Sequence, residues 1–230
     1  MKIVPVIHCL SAEQVMYNAD VCYSNGIDFV FLIDHNLHSD IDIKEYFYMI
    51  KDKYPGMAVG INYLQLDTFD ALSEANILKS ECLKYSYKLD AVWADKSYIT
   101  KNSYIGGGSD LDMAEKILSN NKGYLYFGSV AFKYQKQPHP DELEWVCKTA
   151  CEYMDVITTS GPSTGKAADI EKIKLMKSYI GNHPLSIASG LSYLNKSQFD
   201  PYVDYGLVAS SITERTTEKI IESELKKLIK

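Results

Sequence analysis

The sequence predicts a single α/β domain over residues 1–230, closed as a parallel (β/α)8 TIM barrel. Two observations carry that expectation. Short apolar, β-branched runs recur at near-even spacing, each followed by a segment of helical period, which is the pattern of βα units in a parallel sheet. The last three runs, within 155–165, 184–190 and 204–212, end abruptly in glycine and small hydroxyl residues. Strand ends of that kind suit the open face of a barrel, where bulky side chains would block a ligand. An open doubly wound sheet is the alternative, but the chain lacks a Gly-x-Gly-x-x-Gly turn after its first strand.

The elements follow in order. Ile3–His8 is the first strand; Ser11 caps a helix, Ala12–Ser24, that carries Val15, Ala19 and Cys22 on one stripe and stops at Asn25-Gly26. Phe29–Ile33 is the second strand, and the helix Ile43–Lys53 stops at Pro55-Gly56. Ala58–Tyr63 is the third strand, with a helix inside Thr68–Lys88. Ala91–Trp93 is the fourth and leads into a loop with Gly106-Gly107-Gly108, after which Asp110 caps a helix reaching Asn120. Tyr124–Phe132 is the fifth strand, and Pro140 suits the first turn of the helix Pro140–Met154. The glycine–serine runs supply strands six to eight. Helices Asp169–Tyr179, Lys196–Tyr202 and Thr217–Ile229 follow them, the last burying Ile221, Leu225 and Leu228.

A net charge of −6 and a pI near 5.4 argue against a nucleic-acid partner, which asks for a basic face. No apolar run reaches the length that spans a bilayer, and no signal-peptide pattern opens the chain, so no membrane partner is expected. Cys9, Cys22, Cys82, Cys147 and Cys151 are odd in number and scattered, which fits reduced thiols and a cytoplasmic location. Cys147 and Cys151 share a helix face and read as small core residues. No metal or cofactor site is expected. The oligomeric state stays open, a homo-oligomer included.

Several motifs carry a resemblance: the opening Val4–His8, the pair Ser160-Gly161 and Thr164-Gly165, the Ala188-Ser189-Gly190 turn, the small end at Ser210-Ser211, and Val130–Gln135. Together they resemble the BtpA-like barrels, the photosystem I biogenesis protein family, distantly related to the phosphoribosyl-anthranilate isomerase group. The resemblance implies a phosphate-binding barrel. One family role is assembly of a photosynthetic complex, and nothing in the residues points there. Fold analogy assigns no chemistry by itself.

Reactive groups of a barrel stand at the C-terminal ends of its strands. That nominates His8 and Cys9 after strand one, Asp34 and His35 after strand two, and Asn62 after strand three. Asp95 follows strand four in phase with Trp93, and Lys133 follows strand five in phase with Ser129 and Ala131. Asp34, Asp95, His8 and Lys133 are the expected catalytic set, two carboxylates and an imidazole for acid–base work and an amine to balance anionic charge. Asn62, Thr159, Ser160, Gly161, Thr164, Gly165, Ser189, Gly190, Ser210 and Ser211 are the expected substrate and phosphate ligands. These sets suit an enzyme on a phosphorylated small molecule, phosphoribosyl- or nucleotide-like, by isomerase or ribosyl-transfer/glycosidic chemistry, the phosphate held by the ends of strands six to eight. A non-catalytic assembly or ligand-binding protein is one alternative, and a Schiff-base aldolase using Lys133 is another.

Overall fold

The computed structural model describes residues 1–34, 42–64, 66, 68–96, 99, 123–135 and 137–230. Its strands are β1 (Lys2–His8), β2 (Phe29–Ile33), β3 (Ala58–Asn62), β4 (Ala91–Ala94), β5 (Leu125–Ser129), β6 (Val156–Ser160), β7 (Leu185–Ala188) and β8 (Tyr205–Val208). All pair in parallel with their chain neighbours, and β1 pairs with β8, so the sheet closes into the expected barrel. The described helices are α1 (Ala12–Ser24), α2 (Ile43–Lys53), α3 (Thr68–Cys82), α4 (Pro140–Tyr153), α5 (Ile170–Ile180), α6 (Lys196–Phe199) and α7 (Glu222–Ile229). The helix expected from Asp110, the Gly106–Gly108 loop and His35 lie outside the described residues.

Caps explain where the helices begin. Ser11 accepts the Gln14 N–H, Asp42 that of Lys44, and Asp169 that of Glu171, each satisfying a donor the first turn leaves unpaired. His139 and Glu142 form a reciprocal capping box ahead of Pro140.

Strand alternation separates two cores. Val4, Val6, Phe29, Phe31, Ile33, Trp93, Phe127, Val156 and Leu207 fill the barrel. Residues of opposite phase, among them Ile7, Val30, Leu32, Val59, Ile61, Val92, Tyr126 and Ile157, pack under the helices. The barrel floor is aromatic: the Phe31 ring meets Phe127 at 5.1 Å and Trp93 at 5.9 Å, both edge-on. Gly60 makes room for it, since a Cβ there would lie 2.3 Å from the Phe31 ring.

An aspartate opens every even strand. Asp90 donates its N–H to the Val59 carbonyl (3.2 Å) and accepts the Val59 N–H on Oδ2 (2.9 Å). Asp155 does the same with Tyr126 (3.1 and 2.7 Å), and Asp204 with Leu185 (2.8 and 2.9 Å). Each clasp joins an even strand to the odd strand before it. In the fourth couple Asp28 pairs instead with Lys2 at 2.8 Å. Asp90 also takes the buried Lys51 ammonium at 2.7 Å.

Several boundaries differ from expectation, and the helix expected inside Thr68–Lys88 takes definite limits. β5 ends at Ser129 rather than Phe132, because Ala131 adopts a left-handed φ of 48° that stops the extended chain. α3 stops at Cys82, with one 3₁₀ turn, Leu83–Tyr85, beyond it. The last helix begins at Glu222, not Thr217, because Thr213 and Ile220 form an antiparallel bridge that pulls the intervening loop out of helical geometry. Leu225 and Leu228 are buried as expected, whereas Ile221 is 37% exposed.

Candidate functional site

A cavity of about 570 Å³ opens at the C-terminal mouth of the barrel. Its floor is apolar, formed by Val6, Ile33, Trp93 and Leu207, and its rim carries the polar groups. Mostly apolar walls with a few convergent polar groups are the usual make-up of a small-molecule site.

Nine of the expected residues line it: His8, Asp95, Lys133, Thr164, Gly165, Ser189, Gly190, Ser210 and Ser211. His8 continues the inward phase of Val4 and Val6. Its Nδ1 lies 3.4 Å from Glu218 Oε2. Burial pulls the imidazole pKa down, Glu218 pushes it back up, and Lys133 lowers it; the balance is a lowered value. Asp95 stays in phase with Trp93, and burial raises its carboxyl pKa against the Asn62 hydrogen bond and the Lys133 charge. Lys133 donates from Nζ to Thr164 Oγ1 at 3.1 Å and sits over the rings of Phe132 and Tyr134.

On the opposite side, Ser189 and Gly190 take left-handed φ values of 75° and 68° at the end of β7. Among the described residues, the N–H groups of Gly190, Ser210 and Ser211 donate to no protein acceptor. The Ser211 hydroxyl is buried and likewise without a partner.

Five expected residues are not brought to the cavity, each for a visible reason. Asp34 follows the outward phase of Val30 and Leu32, and its charge acts on Cys9 and Tyr46, so it does not converge with Asp95. Asn62 lies beneath the cavity and donates from Nδ2 to Asp95 Oδ1 at 3.2 Å, orienting that carboxylate. Thr159 donates to the Ala131 carbonyl at 3.2 Å. Ser160 accepts the Lys133 N–H at 2.8 Å and donates to the Gly161 carbonyl at 3.0 Å, so both hydroxyls serve the β5 loop. Gly161 is required by packing: a Cβ there would lie 2.0 Å from the Lys166 carbonyl oxygen. Gly190 meets the same segment from the other side, with a Cβ 2.2 Å from the Ala167 nitrogen. Cys9 is buried and its thiol pKa is raised, which removes it as an activated nucleophile beside His8.

Three contributors were not anticipated. Tyr134, at a left-handed φ of 59°, lines the cavity and accepts the Thr164 N–H on its hydroxyl at 3.3 Å. Asn195 pins the β7 loop, donating to the Gly190 carbonyl (2.9 Å) and accepting from the Ser192 N–H (2.8 Å). The spacing Ser192-x-x-Asn195 was the sequence signal for that turn. Glu218 had none, because its place depends on contacts some 200 residues away in the chain.

The chain folds as a TIM barrel. Its solved neighbours have the same architecture at low identity, which speaks to fold alone. A structure described as native KDPGal superposes with a TM-score of 0.67 at 11% identity, covering 100% of this chain and 93% of that one. Phosphoribosyl anthranilate isomerase from Thermus thermophilus gives 0.64 at 11%, covering 99% and 96%. A 3-hexulose-6-phosphate synthase from Salmonella typhimurium gives 0.63 at 16%, covering 99% and 96%. In sequence, an uncharacterized protein of Methanocaldococcus jannaschii is 26% identical over 156 residues, 68% of this chain. The match spans 57% of that protein's length. No family model matches the chain, so the likeness to BtpA-like barrels rests on the quoted motifs. Among the described residues no helix is long and apolar enough to cross a membrane.

Proposed function

We propose that this barrel is an enzyme acting on a phosphorylated small molecule, phosphoribosyl- or nucleotide-like, by isomerase or ribosyl-transfer chemistry. One observation carries the reading. His8, Asp95 and Lys133 share a cavity with the unclaimed N–H groups of Gly190, Ser210 and Ser211. A phosphate suits the small-residue side, where backbone donors and short hydroxyls approach it without obstruction. The reacting part of the molecule then extends over the apolar floor toward the ionisable side.

There the two titrating groups have complementary tasks. Burial favours the protonated carboxyl of Asp95, which fits a general acid. Burial favours the neutral imidazole of His8, which fits a general base. Lys133 supplies positive charge between the phosphate and the acid. Two of the structural neighbours, the isomerase and the hexulose-phosphate synthase, are named for phosphorylated compounds, which supports the substrate class. Five unpaired thiols suit a reducing cytoplasm. The Schiff-base reading of Lys133 gains no support from its surroundings, where the amine bonds Thr164 at the exposed rim.

The test is a thermal-shift screen of inorganic phosphate and a panel of phosphorylated sugars and nucleotides, followed by turnover assays on whatever binds. A ligand that binds only the folded state raises the melting temperature. Failure of every phosphorylated compound to do so overturns the substrate class. Binding without turnover assigns the barrel to ligand-binding proteins.

A further inference from the structure

The loop between β8 and α7 is built with more care than a connection requires. Glu218 occupies a left-handed φ of 51°, an uncommon setting for a residue with a side chain. Its backbone carbonyl accepts two amide donors from α1, Gln14 Nε2 at 3.1 Å and Asn18 Nδ2 at 2.8 Å. Asn18 Oδ1 in turn accepts the Ile220 N–H at 2.8 Å. Within the loop, Glu218 donates to the Glu214 carbonyl (3.0 Å) and Glu214 to that of Lys219 (2.9 Å). Gln14 and Asn18 are only 4% and 0% exposed, on a helix whose other inward residues, Val15, Ala19 and Cys22, are apolar. Burying two amides costs free energy unless they are hydrogen-bonded; apart from the Leu10 N–H that Gln14 Oε1 accepts at 3.2 Å, the bonds they make go to this loop.

What the loop delivers is a carboxylate beside the His8 ring. Glu218 Oε2 lies 3.4 Å from His8 Nδ1 and also accepts the Thr213 hydroxyl at 3.3 Å. We infer that Glu218 is a positioning residue, fixing His8 with its proton on Nδ1 and its Nε2 lone pair turned away from the carboxylate as the base. The inference rests on the acid–base reading of His8 given above. Which ring nitrogen of a neutral imidazole carries the proton is set by the partner of the other, and a fixed carboxylate at Nδ1 makes that choice. Among the described residues, charged groups acting on the ring include Glu218 from the β8–α7 loop and Lys133 from the β5 loop, with Asp95 on the same cavity.

Long-range ¹H–¹⁵N correlation spectra of the full chain test this without a substrate. In the wild type His8 is expected as the Nδ1–H form when neutral. Glu218→Gln keeps a neutral acceptor but removes the charge, so the His8 titration midpoint falls by about one pH unit. Glu218→Ala removes both, and the Nδ1–H form is lost as well. Asn18→Leu, which frees the loop while sparing the carboxylate, is expected to weaken the same two signatures. If the tautomer and midpoint of His8 are unchanged in folded Glu218→Ala, the positioning role is wrong. If they change while turnover of an identified substrate does not, the positioning is upheld and the catalytic reading of His8 is what falls.

Discussion

The backbone N–H of Lys133 donates to the hydroxyl of Ser160 across 2.8 Å. Around that bond, Ala131 offers its carbonyl to Thr159 and to Lys172 Nζ at 2.5 Å, and Lys172 also reaches the Ser160 carbonyl at 3.0 Å. The end of β6 and the first residues of α5 thus hold the turn that carries Lys133 and Tyr134 to the cavity rim.

Removing that support is expected to be costly. Lys172→Met takes a charged donor from two carbonyls, leaving that of Ala131 with only the Thr159 hydroxyl among these bonds, and should lower stability by about 1–3 kcal/mol, measured by urea unfolding. Burial lowers the Lys172 pKa to about 8 from the ordinary 10.5. Between those values the unfolded chain binds more protons, so this lysine makes stability rise with pH from 8 to 10.5. Lys172→Met should flatten that part of the stability–pH curve; an unchanged slope counts against the assignment.

Gly161 and Gly190 enclose the Lys166–Ala167 backbone from two sides. Alanine at either position is expected to destabilise by about 1–3 kcal/mol or more through overpacking. At Gly190 the left-handed φ adds strain. The contact distances put the loss of stability at Gly190 ahead of any loss of ligand affinity, and thermal melts of both variants, with and without phosphate, check that order.

Among the acidic candidates, Asp95 and Asp34 are expected to part company. Asp95→Asn removes the buried carboxyl at the cavity and should reduce turnover by roughly 10²–10⁴-fold while phosphate affinity holds. Asp34→Asn, on the outward phase, should leave the rate near normal. Equal rates in the two folded variants would contradict the division.

Thiol chemistry offers a simpler check. Cys9, Cys22, Cys82 and Cys147 are buried, and burial raises the pKa of each, to about 11 for Cys82 and about 12 for Cys22 and Cys147. Cys151 is half-buried. Ellman's reagent on the native protein should therefore modify Cys151 ahead of the other four, and all five react once the chain unfolds. Early modification of Cys9, read by mass spectrometry, would reopen it as a reactive group.

Most of the architecture was legible because it is local. Strand runs, the Ser11 cap and the shared phase of Trp93 and Asp95 all follow from spacing and side-chain chemistry. The site was legible only in part. Asp34 stands at the end of a short apolar run, where one residue of phase decides whether a side chain faces inward, and so short a run fixes that phase poorly. Ser160 and Gly161 have the composition of a phosphate loop, yet their partners are Lys133 and Lys166, which only the folded chain brings near. Glu218 sits in what reads as the start of a helix; its position is set by two amides at the other end of the sequence.

The aspartates that open the even strands reach further than their own couples. In three couples the side chain reinforces the ladder to the strand before. The backbone carbonyls of Asp90 and Asp204 also accept the first N–H of the strand beyond, from Leu125 at 2.9 Å and Lys2 at 2.7 Å. Each of those two residues therefore rivets three strands at once, and it does so at the end of the barrel opposite the cavity, so the wall is stitched where no ligand has to enter.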